Sequence, residues 1–208
     1  MNRWEPITVR HAGKFHDRVF IVGASGSGKT RLLSKRLIPA FANFPVILDP
    51  KGDFPPIRGI PRTAKYEKGR AQTIHIPRRQ QSPDAWEKII DQVLDRGNHT
   101  LIIDDIYAIN GGNANPKPNL LWAISGGRGI GVPTWVGCQR PSRLPVSVLS
   151  ESEHYFVFPL RYDDDIKTIA ANTDPRVKTW MPRLGEHDAI YYKAVPPRRL
   201  VVLRAGVL

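Results

Sequence analysis

Residues 23–30 read GASGSGKT and follow directly on the apolar run VFIV at 19–22. The stretch fits the pattern G-x-x-x-x-G-K-[ST]. Gly23, Gly26 and Gly28 free the backbone to turn its N–H groups inward, toward phosphate oxygens at the N-terminus of the helix that follows. In that pattern Lys29 reaches the β- and γ-phosphates and the Thr30 hydroxyl holds Mg²⁺. The expected ligand is ATP with Mg²⁺, contacted by Gly23, Ala24, Ser25, Gly26, Ser27, Gly28, Lys29 and Thr30. Kinases, GTPases, helicases and motors all carry such a loop, so other residues must decide among them.

The elements around the loop set the fold class. The runs RVFIV (18–22), PVILD (45–49), TIHI (73–76), TLIID (100–104), TWVGC (134–138) and HYFVF (154–158) are short, β-branched or aromatic, and bounded by Gly, Pro or charge. They read as buried strands. Between them, Leu33, Leu37, Phe41 and Phe44 share one helical face, and Trp86, Ile89, Ile90, Val93 and Leu94 repeat with helical spacing. Ser82 and Pro83 start this second helix and Gly97 ends it. The alternation predicts an α/β fold, a mainly parallel central sheet flanked by helices on both faces. Helical patterns at 163–173 and 177–183 precede AIYYKA and RRLVVLRA, which predict a C-terminal β-hairpin. Two basic or Gly/Asn-rich stretches, 54–71 and 109–119, read as surface loops. The 208 residues are expected to form one domain, 1–208.

The acidic strand LIIDD ends in Asp104 and Asp105. An Asp at the C-terminal end of a strand beside the loop stands where Mg²⁺ needs a carboxylate. Asp105 would sit near the γ-phosphate and orient or deprotonate the attacking water, unless it only caps the next segment. Two adjacent acids favour hydrolysis over transfer to an acceptor.

Lys and Arg number 31 against 19 Asp and Glu, a net charge of +12 that asks for a polyanionic partner such as nucleic acid. No apolar run approaches the length of a membrane span, and the first residues lack a signal-peptide core, so a cytosolic, non-secreted location is expected. The lone Cys138 forms no internal disulfide.

VILDPKGD (46–53) and GRGIGVPTWVGCQRPSRLP (127–145) flank LIIDD. In this order they resemble the FtsK/HerA superfamily of DNA-pumping ATPases. There a strand ending in D-P-K-G-[DE] follows the phosphate-loop helix, and R-x-x-G-[IV] leads into a strand ending in Q-R-P-S. The small size is similar to that of the genome-packaging ATPases of membrane-containing icosahedral viruses. The resemblance spans residues 18–150 and implies a P-loop NTPase of the RecA-like/ASCE type.

What it implies for residues is specific. Gln139 would touch the γ-phosphate or the water and report hydrolysis. Arg128 matches the arginine that reaches a neighbouring subunit's nucleotide, with Arg140, Arg143 and Arg161 as rivals for that role. Asp49, Lys51 and Asp53 follow the second strand at the sheet edge of the loop; Asp49 would help fix the water or Mg²⁺, and Lys51 would face a neighbour. Where the family commonly has Glu after the metal-binding Asp, this chain has Asp105, one methylene shorter.

The implied function is an ATP-hydrolysing, sequence-nonspecific double-stranded DNA translocase. It would assemble as a homo-oligomeric ring, a hexamer by resemblance, and package a viral genome into a preformed capsid. Capsid vertex or portal proteins would be partners, and the host cytoplasm or the virion's packaging vertex the location. DNA contacts are expected from Arg58, Arg62, Lys65, Lys68 and Arg70, in a basic run extending to Arg78 and Arg79, and from Lys117 on the Asn/Gly-rich loop. A conjugation or assembly ATPase of the same superfamily and a small-molecule P-loop kinase are the alternatives.

Overall fold

The computed structural model describes residues 17–206. Among the described residues nine strands make up one sheet: β1 (Val19–Val22), β2 (Val46–Leu48), β3 (Arg62–Thr63), β4 (Gln72–Ile74), β5 (Leu101–Ile103), β6 (Thr134–Cys138), β7 (His154–Val157), β8 (Ala189–Lys193) and β9 (Arg199–Leu203). Their order is β3-β4-β2-β5-β6-β1-β7-β8-β9. From β3 to β7 every pairing is parallel, and β8 and β9 join antiparallel as a terminal hairpin.

The sheet is buried on both faces, which is why its strands read as continuous apolar runs rather than alternating ones. Along β1, Phe20 and Val22 enter one cluster and Val19 and Ile21 the other. The first cluster packs under α3 (Pro83–Arg96), α4 (Ile106–Ile109), α5 (Pro118–Ser125), α6 (Val146–Ser150), α7 (Asp163–Asn172) and α8 (Arg176–Trp180). The second packs under the helix after the phosphate-type loop, where α1 (Lys29–Leu32) runs through a π-helical stretch, Leu33–Leu37, into α2 (Ile38–Phe41). Helices therefore cover both faces, unequally.

Helix α3 starts and stops as its sequence dictates. The Ser82 hydroxyl accepts from the Ala85 N–H at 3.1 Å, Pro83 fills the first turn, and Gly97 closes the helix at φ +64°. Elsewhere the chain departs from its pattern. Phe44 lies beyond the first helix, at φ +41° and 57% exposed, because the helix ends at Phe41. The stretch 54–71 is not all loop: Phe54 is buried, Ile57 and Ile60 bridge each other, and Arg62–Thr63 add an edge strand. Helices α4, α5 and α6 are short enough to leave no readable period. Among the described residues no helix is long and apolar enough to cross a membrane.

Strand β6 lies between β1 and β5, so Gln139 at its end stands beside Asp105, while Asp104 still reaches Thr30 of the loop.

Candidate functional site

The parallel strands all end on one side, and the segments leaving those ends meet there, where open α/β sheets bind ligands. Gly23 leaves β1 with its N–H on the Cys138 carbonyl at 3.2 Å, and Ala24 N–H donates to Pro159 O at 3.0 Å. A Cβ on Gly23 would fall 2.5 Å from Cβ of Phe158, so only glycine lets the loop pass this close to the end of β7. The N–H groups of Gly26, Gly28, Lys29 and Thr30 make no hydrogen bond among the described residues. Ser27 Oγ is likewise buried without a partner.

Lys29 is buried, and its Nζ donates to the carbonyls of Gly23 and Ala24, both at 2.9 Å. Burial lowers its pKa, against the pull of Asp104 and Asp105. A loop with free amides, an orphaned hydroxyl and a buried ammonium is built for a polyanion, and it fits a nucleotide's phosphates.

The Thr30 hydroxyl donates to Asp104 Oδ1 at 2.9 Å, so two hard oxygen ligands already touch, as a divalent cation requires. Burial pushes the Asp104 pKa up to about 6; the Thr30 bond and Lys51 pull it down, and the charges of Asp49 and Asp53 add to the rise. Gly137 makes this approach possible, since a Cβ there would lie 2.1 Å from the Asp104 carbonyl oxygen.

Asp105 does cap the next helix. Its Oδ1 accepts from the Tyr107 and Ala108 N–H groups at 3.1 and 3.3 Å, at the start of α4. The same carboxylate serves the centre: Oδ2 accepts from Gln139 Nε2 at 3.0 Å and pairs with Lys51 Nζ at 2.7 Å. Burial alone would lower the Lys51 pKa, but the bond to Asp105 and the charges of Asp105, Asp104 and Asp53 raise it on balance. Lys51 thus faces its own chain's acid here.

Asp49 is fully buried and folds its own turn, accepting from Gly52 N–H at 2.8 Å and Phe54 N–H at 3.1 Å. Arg62 closes that turn from outside, 3.1 Å from Asp49 Oδ2 and bonded to the carbonyls of Gly52 and Phe54. Asp53 stays exposed.

The arginines scatter. Arg128 pairs with Glu153 at 2.6 Å, just before β7 begins, and so lies at the opposite strand ends from its own chain's loop. Arg18 holds the same Glu153 through its N–H, its Nε and its Nη2, so Arg128 is the second cation on a buried carboxylate. Arg140 is fixed by Asp165 at 2.8 Å and lies 3.9 Å from the Tyr162 ring centroid. Arg161 is exposed at a cavity of about 190 Å³ shared with Ala24, Ser25, Gln139 and Arg140. Arg143 rests on Tyr107.

The basic run 58–79 does not form one patch. Arg62 is taken up by the Asp49 turn, and Arg70 pairs with Glu67 at 2.8 Å. Lys68 lines a cavity with Tyr66, whose hydroxyl meets His99 at 3.1 Å just before β5, and Arg70 leads into β4, so these two cations lie toward the strand starts, whereas Lys65 follows β3. Arg58 is on the α1 side beside Ile57, and Lys117 is paired with Asp84 at 2.6 Å.

Sequence reading passed over Asp165, buried at 1% exposure, which holds the Q-R-P-S turn by accepting from Ser142 N–H and Oγ as well as from Arg140. It is the third acid of a DDD helix start, and nothing local marks which of the three turns inward.

No family model and no curated protein matches the chain. Solved structures do resemble it. The genome packaging NTPase from Sulfolobus turreted icosahedral virus 2, in complex with sulfate, has a TM-score of 0.73 at 18% identity, covering 90% of this chain and 96% of that one. Its complex with AMPPCP scores 0.70 at 18% identity, covering 90% and 97%. EssC (ATPases 2 and 3) from Geobacillus thermodenitrificans scores 0.58 at 11% identity, covering 91% of this chain and 39% of that one. At these identities the likeness is one of fold: the chain has the α/β fold of P-loop ATPases.

Proposed function

We propose that the chain is an ATPase of FtsK/HerA type that translocates double-stranded DNA to package a viral genome, working as a homo-oligomeric ring, a hexamer by resemblance. One observation carries the ATPase reading: at a single strand edge Thr30 bonds Asp104 while Gln139, at the end of β6, bonds Asp105. A chance match to the loop pattern would not bring a hydroxyl, two acids and an amide into two bonded pairs at one strand edge. The net charge of +12 and the likeness to viral genome-packaging NTPases support the DNA and packaging readings.

The loop amides and Lys29 would hold the phosphates, and Thr30 with Asp104 would hold Mg²⁺. Bound Mg²⁺ with ATP supplies the phosphoanhydride to be cleaved and the charge that offsets its developing negative charge. Gln139 and Lys51 fix Asp105 Oδ2, and once that oxygen is released it is the atom that accepts a proton from water. Arg128 is too far along the strands to serve its own loop, so it acts on a neighbouring subunit.

The test is ATP hydrolysis by the purified protein with and without long duplex DNA at two salt concentrations, beside Lys29→Ala and Arg128→Ala. Salt-sensitive stimulation lost in both variants, with Arg128→Ala still binding ATP, is the expected outcome. Hydrolysis indifferent to DNA would sink the translocase reading.

A further inference from the structure

The basic residues that the linear sequence nominates for DNA do not form one patch, but the last two of the run, Arg78 and Arg79, lie at the strand edge of the acids together with Arg143. Arg78 and Arg79 form an exposed 3₁₀ turn just after β4, at the same strand edge as the candidate centre, and neither has a partner among the described residues. Arg143, exposed after β6, lies over the ring of Tyr107 at 5.8 Å from its centroid, its Nη1 3.5 Å from the hydroxyl. The segment between these groups is continuous. Gly112 N–H donates to the Tyr107 carbonyl at 2.9 Å, and Gly111 packs on Pro83 so closely that a Cβ would sit 2.8 Å from its ring. Pro83 follows the Arg78 turn by a few residues. Asp84, an exposed acid on this rim, pairs with Lys117.

One end of the rim is bonded to the Asp105 carboxylate, and the other approaches it through the residues around Lys51. On one side the Tyr107 N–H donates to Asp105 Oδ1. On the other, Gln81 Nε2 donates to Pro50 O at 2.7 Å and to Ile76 O at 2.8 Å, and Lys51, next in the chain, pairs with Asp105 Oδ2. A ligand held by Arg143 or by the Arg78–Arg79 turn would therefore lie a short chain of contacts from a donor of Asp105.

We infer that Arg78, Arg79, Tyr107 and Arg143 form the surface that grips the phosphate backbone of duplex DNA and passes that contact to Asp105. The inference rests on the DNA-translocase reading and names its contact site. Arginine forks match phosphate oxygens, and Tyr107 adds a hydroxyl donor. Backbone contacts of this kind position the duplex without reading base edges. The rim's place on the molecule predicts that DNA binding and hydrolysis are linked through two short chains of contacts rather than through a global rearrangement.

The experiment measures binding of a fluorescein-labelled blunt duplex by anisotropy across a salt series. It compares wild type, the triple variant Arg78→Gln/Arg79→Gln/Arg143→Gln, the same three positions changed to Lys, and Lys68→Gln/Arg70→Gln toward the opposite edge. Each lost phosphate contact removes roughly 0.9 from the slope of log affinity on log salt, so the rim Gln variant should lose about 2 to 3 units of slope and on the order of tenfold or more in affinity. The Lys version should regain most of the slope, since a point charge still neutralises phosphate, and the opposite-edge variant should bind as wild type does. A rim Gln variant that binds normally while the opposite-edge variant fails would overturn this surface and leave the translocase reading standing. Wild type that hydrolyses ATP but binds no duplex would overturn both. Polyglutamate competing as well as DNA would also overturn the assignment, because the rim would then be taking any polyanion.

Discussion

Gly137→Ala is the sharpest test of how the sheet brings Asp104 to Thr30. The new Cβ would stand 2.1 Å from the Asp104 carbonyl oxygen, 2.9 Å from its carbonyl carbon and 3.1 Å from the Ile103 oxygen. Ordinary carbon–oxygen contacts begin near ~3.3 Å, so β5 and β6 must separate by on the order of an ångström in the middle of the sheet. These neighbours are backbone atoms in a ladder and cannot rotate away as a side chain could. Overpacking of a close-packed interior costs about 1 to 3 kcal/mol and occasionally more, and with no soft neighbour we expect the upper end, about 3 kcal/mol. For a chain of this size that lowers Tm by about 6 to 12 °C. Gly129→Ala is the control: nothing lies within 4 Å of its Cβ position, so the change should leave stability unaltered or raise it slightly. Urea unfolding gives the free energies. In the same samples, a non-hydrolysable ATP analogue titrated with and without Mg²⁺ should show the Mg²⁺ enhancement weakened in Gly137→Ala, because Asp104 has moved from Thr30. A loss under about 1 kcal/mol with Mg²⁺ enhancement intact would refute the reasoning.

Asp104→Asn should stabilise the metal-free protein in a pH-dependent way. Its folded pKa of about 6 lies above the ordinary ~3.9, so the folded state binds more protons between those values and wild-type stability falls as pH rises through them. The variant cannot ionise; its advantage should be near zero at pH 4 and reach about 3 kcal/mol above pH 7, and a difference that stays flat in thermal melts with chelator would contradict the burial argument. Arg62→Ala should cost about 2 kcal/mol, since it removes the cation and two carbonyl contacts from the turn around a fully buried Asp49. Arg62→Lys should not restore it, because one ammonium cannot span the three acceptors; full rescue in urea unfolding would count against the clamp.

The parts of this centre legible in the sequence are those whose chemistry is confined to one short segment. The loop, the strand–helix alternation and the capped helix from Ser82 to Gly97 all depend on contacts within a few residues, so residue type and spacing report them. Asp105 marks where that legibility ends. As a helix cap it follows from its position before Ile106, but its bonds to Gln139 and Lys51 depend on β6 lying between β1 and β5 and on β2 flanking β5 from the other side. Strand order is a long-range property that residue type and spacing do not report. The basic run shows the same limit from the other direction. Seven cations between Arg58 and Arg79 look like one surface in the sequence, but the chain crosses from one strand edge to the other and back as it builds β3 and β4, which buries the meaning of Arg62 in a turn and leaves Arg78 and Arg79 beside the acids. A run of like charge therefore predicts a partner class from composition, whereas the place where that partner touches is decided by the crossings of the sheet.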